Sequence, residues 1–215
     1  ANVRSTGTTV DTSRTAVSAQ VSYAPSEKLV TVARTEARWE KSDRDRFQLF
    51  VLLQADYKLN RDFTLMGKYR VSHTKDRLTS LLEARFDERS LGLAYRPVHN
   101  DRLNALARYT HLFELSPQAL ASAPGSQRTL DVLSAEGIYD FGHGVEWFAK
   151  LAARSQQEVL DSALTVKSDT FLAIQRLNLT VRKPFELGVE YRILAQRQAN
   201  DRRQGFLLEA MWALY

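Results

Sequence analysis

Apolar and polar residues alternate with a period of two along most of the chain. In "FELGVEYRILAQ" (Phe185–Gln196), apolar residues occupy the odd positions, whereas Glu186, Glu190 and Arg192 occupy even ones. Because successive side chains on a β-strand point to opposite faces, this pattern predicts a strand with one apolar and one polar face. The same alternation recurs in other segments, of which the clearest are Phe47–Leu59, Phe63–Val71, Leu103–Phe113 and Val145–Ala153.

The number and length of these segments narrow the fold class. Eleven candidate strands are visible, and most exceed the roughly 5 to 6 residues of an average strand and approach the roughly 9 to 11 that cross a membrane. Short connections such as "NRD" after Leu59 and "FGHG" after Asp140 alternate with longer polar ones such as Glu114–Arg128 and Gln157–Asp169. Short turns at one end and longer loops at the other are typical of outer-membrane barrels.

Aromatic residues cluster near the strand ends and almost all share the apolar parity. Two aromatic rows that flank an aliphatic band are the interfacial girdles of a membrane barrel, whereas a soluble core gives no reason for aromatics at strand ends. The sequence therefore predicts an all-β, transmembrane, antiparallel up-and-down barrel of about 12 strands, contained in one domain over residues 1–215. The predicted girdle residues are Tyr23, Trp39, Phe47, Tyr57, Phe63, Tyr95, Tyr109, Phe113, Tyr139, Trp147, Phe171, Phe185 and Phe206.

Two soluble alternatives compete with the barrel. "LNALARYTHLFEL" and "TSLLEARFDERSLGL" contain good helix formers, although strictly alternating segments bound both. Leu81–Arg89 lacks clean alternation, so we interpret it as a strand that extends beyond the membrane or as a small helix. A soluble β-sandwich is the stronger rival, but the aromatic placement counts against it.

The polar parity of the predicted strands carries charges of both signs. In a barrel of this size, such charges either pair and fill a narrow interior or line a polar pore, and the filled or tightly constricted interior is the favoured interpretation. The predicted interior residues are Arg34, Glu36, Arg38, Asp56, Lys58, Lys68, Arg70, Arg108, Glu136, Glu146, Lys150, Arg154, Arg176, Glu186, Glu190, Arg192 and Glu209.

Composition excludes several other classes. The net charge is +5, but acidic residues are interleaved with basic ones, which argues against a nucleic-acid partner. The chain has no cysteine, and it shows no metal-ligand spacing, P-loop or GxGxxG motif, so we expect no cofactor and no metal site. No apolar run is long enough for a membrane helix, and the first residues lack the apolar region of a signal peptide.

One hairpin resembles a known family. "LGLAYRPVHNDRLNALARYTHL" (Leu91–Leu112) is similar to a hairpin in the C-terminal β-barrel segment of very large modular cell-envelope proteins of Gram-negative bacteria. "LSAEGIYDF" (Leu133–Phe141) and the "AQRQANDRRQG" loop are similar as well. The resemblance covers roughly half of the chain, and its motif is structural. It implies an outer-membrane barrel without known chemistry, and chains of that family usually continue for one or more strands.

The odd number of visible strands also indicates that the barrel needs a further strand. Bacterial barrels close with an even number of strands, so one strand is missing from the count. Either Val3–Val10 supplies it or the chain continues beyond this sequence. The final Tyr215 resembles a terminal outer-membrane aromatic, but Trp212 and Leu214 have the opposite parity.

Four histidines are the obvious candidates for catalysis. His99 and His143 lie in predicted turns and His73 lies at a loop edge. His111 has the lipid-facing parity near the outer girdle, where a Ser-His pair could hydrolyse lipid, but Ser134 falls on the opposite face and no GxSxG motif is present.

These observations predict a membrane anchor or scaffold for a larger envelope protein or assembly in the bacterial outer membrane. A porin-like channel or translocator is the alternative, and a lipid hydrolase is the third possibility. The expected partners are outer-membrane lipid and lipopolysaccharide, together with protein partners or covalently linked domains. Basic loop residues such as Arg202 and Arg203 are candidates for contact with the lipopolysaccharide surface.

Overall fold

The computed structural model describes residues 12–42, 45–116, 126–160, 164–182 and 185–212, and most of these residues lie in antiparallel strands. The Val3–Val10 segment and Tyr215 lie outside these ranges. The strands are β1 (Ser13–Ser26), β2 (Leu29–Lys41), β3 (Asp45–Lys58), β4 (Phe63–Asp76), β5 (Leu82–Tyr95), β6 (Leu103–Leu115), β7 (Gln127–Gly142), β8 (Val145–Leu160), β9 (Leu164–Arg182), β10 (Phe185–Gln196) and β11 (Asp201–Trp212).

All eleven strands form one sheet in which the spatial order follows the chain order. Every neighbouring pair is antiparallel, so the topology is up-and-down, as the sequence predicts. β1 and β11 form the two edges, and within the described ranges neither has a second strand partner. The sheet is therefore open, and its two edge strands run in the same direction because the number of strands is odd.

The sheet has one apolar and one charged face, and it has no hydrophobic core within the described ranges. No aliphatic or aromatic side chain larger than proline is buried there, and Leu133, Leu151 and Val21 are 60%, 49% and 64% exposed. A soluble sandwich packs the apolar faces of two sheets against each other and buries such residues. The structure thus contradicts the sandwich alternative.

Register places residues of one parity from neighbouring strands on the same face. Leu151 of β8, for example, lies between its register partners Ala135 of β7 and Ala173 of β9. The next residue, Ala152, lies between Ser134 and Leu172 on the other face. We call the first surface the apolar face and the second the charged face. The connections after β1, β3, β5, β7 and β9 define the turn-side end, and the other connections define the loop-side end.

The strands are tilted relative to the turn-side aromatic row. Tyr57 of β3 pairs with Leu65 of β4, which in turn pairs with Leu93 of β5. The turn-side aromatic of β5 is Tyr95, which lies two residues nearer the turn than Leu93. Tyr95 pairs with Ala105 of β6, which pairs with Gly137 of β7, and the turn-side aromatic Tyr139 again lies two residues nearer the turn. A constant stagger of this kind is what closing a sheet into a barrel requires.

The structure decides between the two interpretations of Leu81–Arg89, because Leu82–Arg89 is regular strand within β5 and is not a helix. Two sequence predictions of loops are wrong. The predicted loops Gln157–Asp169 and Arg197–Gly205 are largely strand, because β8 extends to Leu160, β9 begins at Leu164 and β11 begins at Asp201. The contrast between short turns and long loops is therefore weaker than the sequence suggests. No helix in the described ranges is long and apolar enough to cross a membrane.

The turn between β7 and β8 depends on two glycines. Gly142, His143 and Gly144 all have positive φ angles, of 79°, 56° and 78°. A Cβ atom on Gly144 would lie 2.9 Å from the carbonyl oxygen of Thr180, whereas one on Gly142 would meet no atom within 4 Å. The amide of Thr180 also donates a 2.7 Å hydrogen bond to the Gly144 carbonyl, so this turn packs tightly against β9.

Candidate functional site

The charged face is the most distinctive surface of the chain. The register places every residue predicted to line the barrel interior on this face. These residues are Arg34, Glu36, Arg38, Asp56, Lys58, Lys68, Arg70, Arg108, Glu136, Glu146, Lys150, Arg154, Arg176, Glu186, Glu190, Arg192 and Glu209.

Three carboxylates on this face, those of Glu36, Glu88 and Glu190, are buried among arginines and lysines from the same or the next strand. Glu36 is 8% exposed, and Arg34 Nη2 lies 3.1 Å from its Oε2 while Arg38 pairs with its other oxygen. Glu88, which the sequence analysis did not single out, is also 8% exposed and pairs with Lys68 at 2.5 Å and Arg70 at 2.6 Å. Each carboxylate thus has two cationic partners, which offsets the cost of its burial.

Arg176 is the centre of a polar network that spans several described strands. Its Nε donates a 2.7 Å hydrogen bond to Asn178 Oδ1, and its Nη2 donates one of the same length to Glu209 Oε2. Its Nη1 lies 3.7 Å from Glu190, which is 6% exposed and also pairs with Arg192. The network therefore ties β9, β10 and β11 together from the charged face.

The network extends across β9 to β8, where Asn178 Nδ2 donates a 3.1 Å hydrogen bond to Glu146. A separate ion pair joins Lys150 Nζ to Glu136 at 2.9 Å. Both connections lie on the charged face of β7–β9.

Some predicted interior residues have no such partner. Asp56 accepts a 3.2 Å hydrogen bond from Gln54. Over the part of the chain that the structure describes, no side-chain hydrogen bond or ion pair involves Lys58, Arg108, Arg154 or Glu186. Among the described residues, the charged face therefore combines neutralised clusters with a few cations and one carboxylate that have no side-chain partner.

The opposite face carries every predicted girdle residue. These are Tyr23, Trp39, Phe47, Tyr57, Phe63, Tyr95, Tyr109, Phe113, Tyr139, Trp147, Phe171, Phe185 and Phe206. Several contact another ring across neighbouring strands: the Phe63 and Tyr95 ring centroids are 4.8 Å apart, and those of Trp39 and Phe47 are 5.5 Å apart. The first pair lies at the turn-side end and the second at the loop-side end.

One charged cluster on the apolar face was missed by the sequence analysis. Asp87 is only 2% exposed, and both Arg85 and Arg89 donate hydrogen bonds to it. The two guanidinium groups lie over aromatic rings, with Arg85 5.3 Å from Phe113 and Arg89 5.8 Å from Tyr69. The two arginines neutralise Asp87 and contact aromatic rings, so charged residues can occupy the apolar face here. Strict alternation therefore fails at this point of β5.

The histidine that could support lipid hydrolysis does not meet a serine nucleophile. His111 Nδ1 lies 2.8 Å from Asp131 Oδ1, which also accepts a 2.6 Å hydrogen bond from Tyr109. Ser134 pairs with Arg108 in the register and faces the charged side, as the sequence analysis expected. Ser155 shares the face of His111 but donates its hydrogen bond to Asp169. Within the described residues, no group of three histidine or acidic side chains is arranged to hold a metal ion.

Comparisons with known proteins identify the fold. The siderophore receptor PirA from Pseudomonas aeruginosa is similar to this chain with a TM-score of 0.74 and 13% identity. The match covers 95% of this chain and 39% of the receptor. The fold is that of an outer-membrane β-barrel wall. This chain therefore spans about two fifths of the receptor's length, and the eleven-stranded sheet corresponds to part of that barrel.

Two further outer-membrane proteins match with lower scores. The NanC porin has a TM-score of 0.44 and 14% identity, over 94% of this chain and 97% of the porin. The copper transporter OprC has a TM-score of 0.42 and 12% identity, over 94% of this chain and 41% of the transporter. No protein-family model and no curated protein matches the chain.

Proposed function

We propose that this chain is an integral part of the bacterial outer membrane and that it anchors or scaffolds a larger envelope protein or assembly. The observation that carries the proposal is the contrast between the two faces of the sheet. One face exposes large apolar residues between aromatic rows, and the other holds the charged clusters. In a lipid bilayer the first face contacts acyl chains and the second faces the barrel interior.

The backbone supports this placement. Each interior strand of the sheet pairs on both sides, so its amide and carbonyl groups are satisfied without water. The exposed edges of β1 and β11 are the exceptions. An open edge is costly inside a membrane, so we infer that further strands pair with both edges. Because β1 and β11 run in the same direction, antiparallel closure requires an odd number of added strands.

The requirement for added strands favours a role within a larger protein. The Leu91–Leu112 hairpin resembles the C-terminal barrel segment of large modular envelope proteins, and such a chain or an associated protein would provide the closing strands. The anchor then holds the rest of the assembly at the membrane. Ion pairs such as those of Glu36, Glu88 and Arg176 stiffen its wall and fill space on its inner face.

A porin-like passage is the second candidate function. Arg108, Arg154 and Lys58 lie on the charged face without a side-chain partner among the described residues. Free cations that line an aqueous lumen would favour the passage of anions. This feature distinguishes a conducting barrel from a fully neutralised one.

Detergent dependence tests membrane insertion, and conductance separates the two functions. The purified protein is expected to fold only with detergent or lipid and to show heat-modifiable migration on electrophoresis. A chain that stays soluble and monomeric without detergent would contradict the proposal. In planar bilayers an anchor gives no steady conductance, whereas a passage gives steps with anion preference that Arg108→Gln and Arg154→Gln reduce.

A further inference from the structure

A groove of about 700 Å³ opens on the apolar face near the loop-side ends of β7–β11. Its floor is a single row of residues in register across the strands: Tyr109, Leu133, Ala153, Phe171 and Ala195. The two alanines leave space beside the larger side chains. The volume lies in the range of roughly 300–1,000 Å³ that is typical of small-molecule sites.

A polar row borders this floor on the loop side. Asp131, Ser155 and Asp169 are in register with one another, and each lies two residues along its strand from a residue of the apolar row. Asp131 already accepts hydrogen bonds on one oxygen, and Asp169 accepts them from Ser155 at 2.8 Å and from Gln198 at 2.8 Å. The carboxylates are thus fixed in place, and their remaining lone pairs can accept hydrogen bonds from hydroxyl groups.

Two arginines complete the border of the groove. Arg197 and Arg202 both line the groove. Within the described ranges, no side-chain hydrogen bond or ion pair involves either guanidinium, whereas the neighbouring Arg203 pairs with Asp201 at 2.8 Å. A guanidinium group has a planar set of donors that matches a phosphate.

We propose that this groove binds a phosphorylated glycolipid of the lipid A type from the outer leaflet. An acyl chain lies over Leu133 and Ala153, between the rings of Tyr109 and Phe171. A phosphate is held by Arg197 and Arg202, and sugar hydroxyls donate to the carboxylates of the polar row. A glycerophospholipid would match the floor and the arginines, but it would leave most acceptors of the polar row unused.

The position of the groove fits this ligand. Tyr109 and Phe171 belong to the loop-side aromatic row, so the groove lies where acyl chains end and headgroups begin. The inference rests on the proposed function, because only an inserted barrel with its loop side outward would meet this leaflet. It goes beyond that function by assigning a ligand and a binding site.

Binding of purified lipid A to the folded protein in detergent tests the proposal. We expect Arg197→Gln combined with Arg202→Gln to weaken lipid A binding by about tenfold or more, since two charge-assisted contacts are lost. Ala153→Phe, which fills the floor, is expected to weaken it as well. Arg108→Gln is the matched control, because Arg108 is next to Tyr109 on the opposite face, does not line the groove and has no side-chain partner among the described residues, so its loss should leave affinity unchanged.

The outcomes separate this inference from the proposed function. Unchanged lipid A affinity in both groove variants overturns the site, and so does equal loss in Arg108→Gln. Equal affinity for phosphatidylglycerol micelles and lipid A overturns the choice of a glycolipid. In each of these cases heat-modifiable migration still reports an inserted barrel. A chain that never shows such migration refutes membrane insertion instead.

Discussion

The guanidinium of Arg176 lies directly over Gly188, where a Cβ atom would be 3.0 Å from Nη2. The absence of a side chain at this position lets Arg176 extend toward both Glu209 and Glu190. A glycine on β10 therefore makes room for a polar network that spans three strands.

Enlarging Gly188 should displace that arginine. We expect Gly188→Val to lower the free energy of unfolding by about 1–3 kcal/mol, because the added methyl groups overpack the site and separate Arg176 from its partners. Urea titration of the protein in detergent micelles, followed by tryptophan fluorescence, measures the change. Gly67→Val is the control, since a Cβ there meets no atom closer than 3.9 Å. Equal effects of the two substitutions would show that Arg176 is not constrained by Gly188.

The orientation of the sheet in lipid can be tested with two adjacent residues. Leu151→Arg places a charge in the middle of the apolar face and should destabilise the inserted protein by about 2–4 kcal/mol. Ala152→Arg places the same side chain on the charged face, where we expect a much smaller effect. Reversible unfolding from lipid vesicles provides the two free energies. A larger penalty for Ala152→Arg would reverse the assignment of the faces.

Neutralising Glu36 should leave two arginines without their shared carboxylate. Glu36→Gln is expected to lower the free energy of unfolding, because Arg34 and Arg38 lose their charge-assisted contacts with the carboxylate. Glu186→Gln is the matched control, because Glu186 lies on the same face, is exposed and has no side-chain partner among the described residues. Its effect should stay within about 0.5 kcal/mol. If both substitutions have the same effect in urea titrations, the Glu36 ion pairs do not contribute to stability.

The turn between β7 and β8 offers a comparison in which backbone conformation is nearly constant. Gly142→Ala and Gly144→Ala both place a Cβ at a positive φ of nearly the same value. Each should cost about 1 kcal/mol or more for that reason. Gly144→Ala adds a clash with Thr180, so we expect it to slow refolding and to lower stability further. Refolding yields from urea into detergent, judged by heat-modifiable migration, should rank the two variants in that order.

The sequence predicts the strands and their faces well because the membrane imposes a strict rule on alternate positions. All eleven strands appear in the structure, and Leu151 and Ala152 illustrate how the period of two assigns neighbouring residues to opposite faces. Where the rule is relaxed, prediction fails. In β5, Asp87 lies on the apolar face because Arg85 and Arg89 neutralise it.

Loop boundaries and side-chain partners are harder to predict. Segments such as Ser155–Glu158 are polar at every position, although they continue β8 toward the loop side. Alternation disappears there because neither face needs to be apolar. The partners of Arg176 depend on the register between β9, β10 and β11, which local sequence patterns do not specify.

The shared direction of the two edge strands also determines how copies of this chain could assemble. All copies of a protein that is inserted by one route have the same orientation in the membrane. If a second copy were placed beside the first, its β1 would meet β11 of the first copy with both strands running the same way. The seam would then be parallel, unlike every other junction in the sheet. A junction between two copies would thus pair slightly less stably per residue than the antiparallel junctions of the sheet, whereas any odd number of added strands would continue the antiparallel pattern.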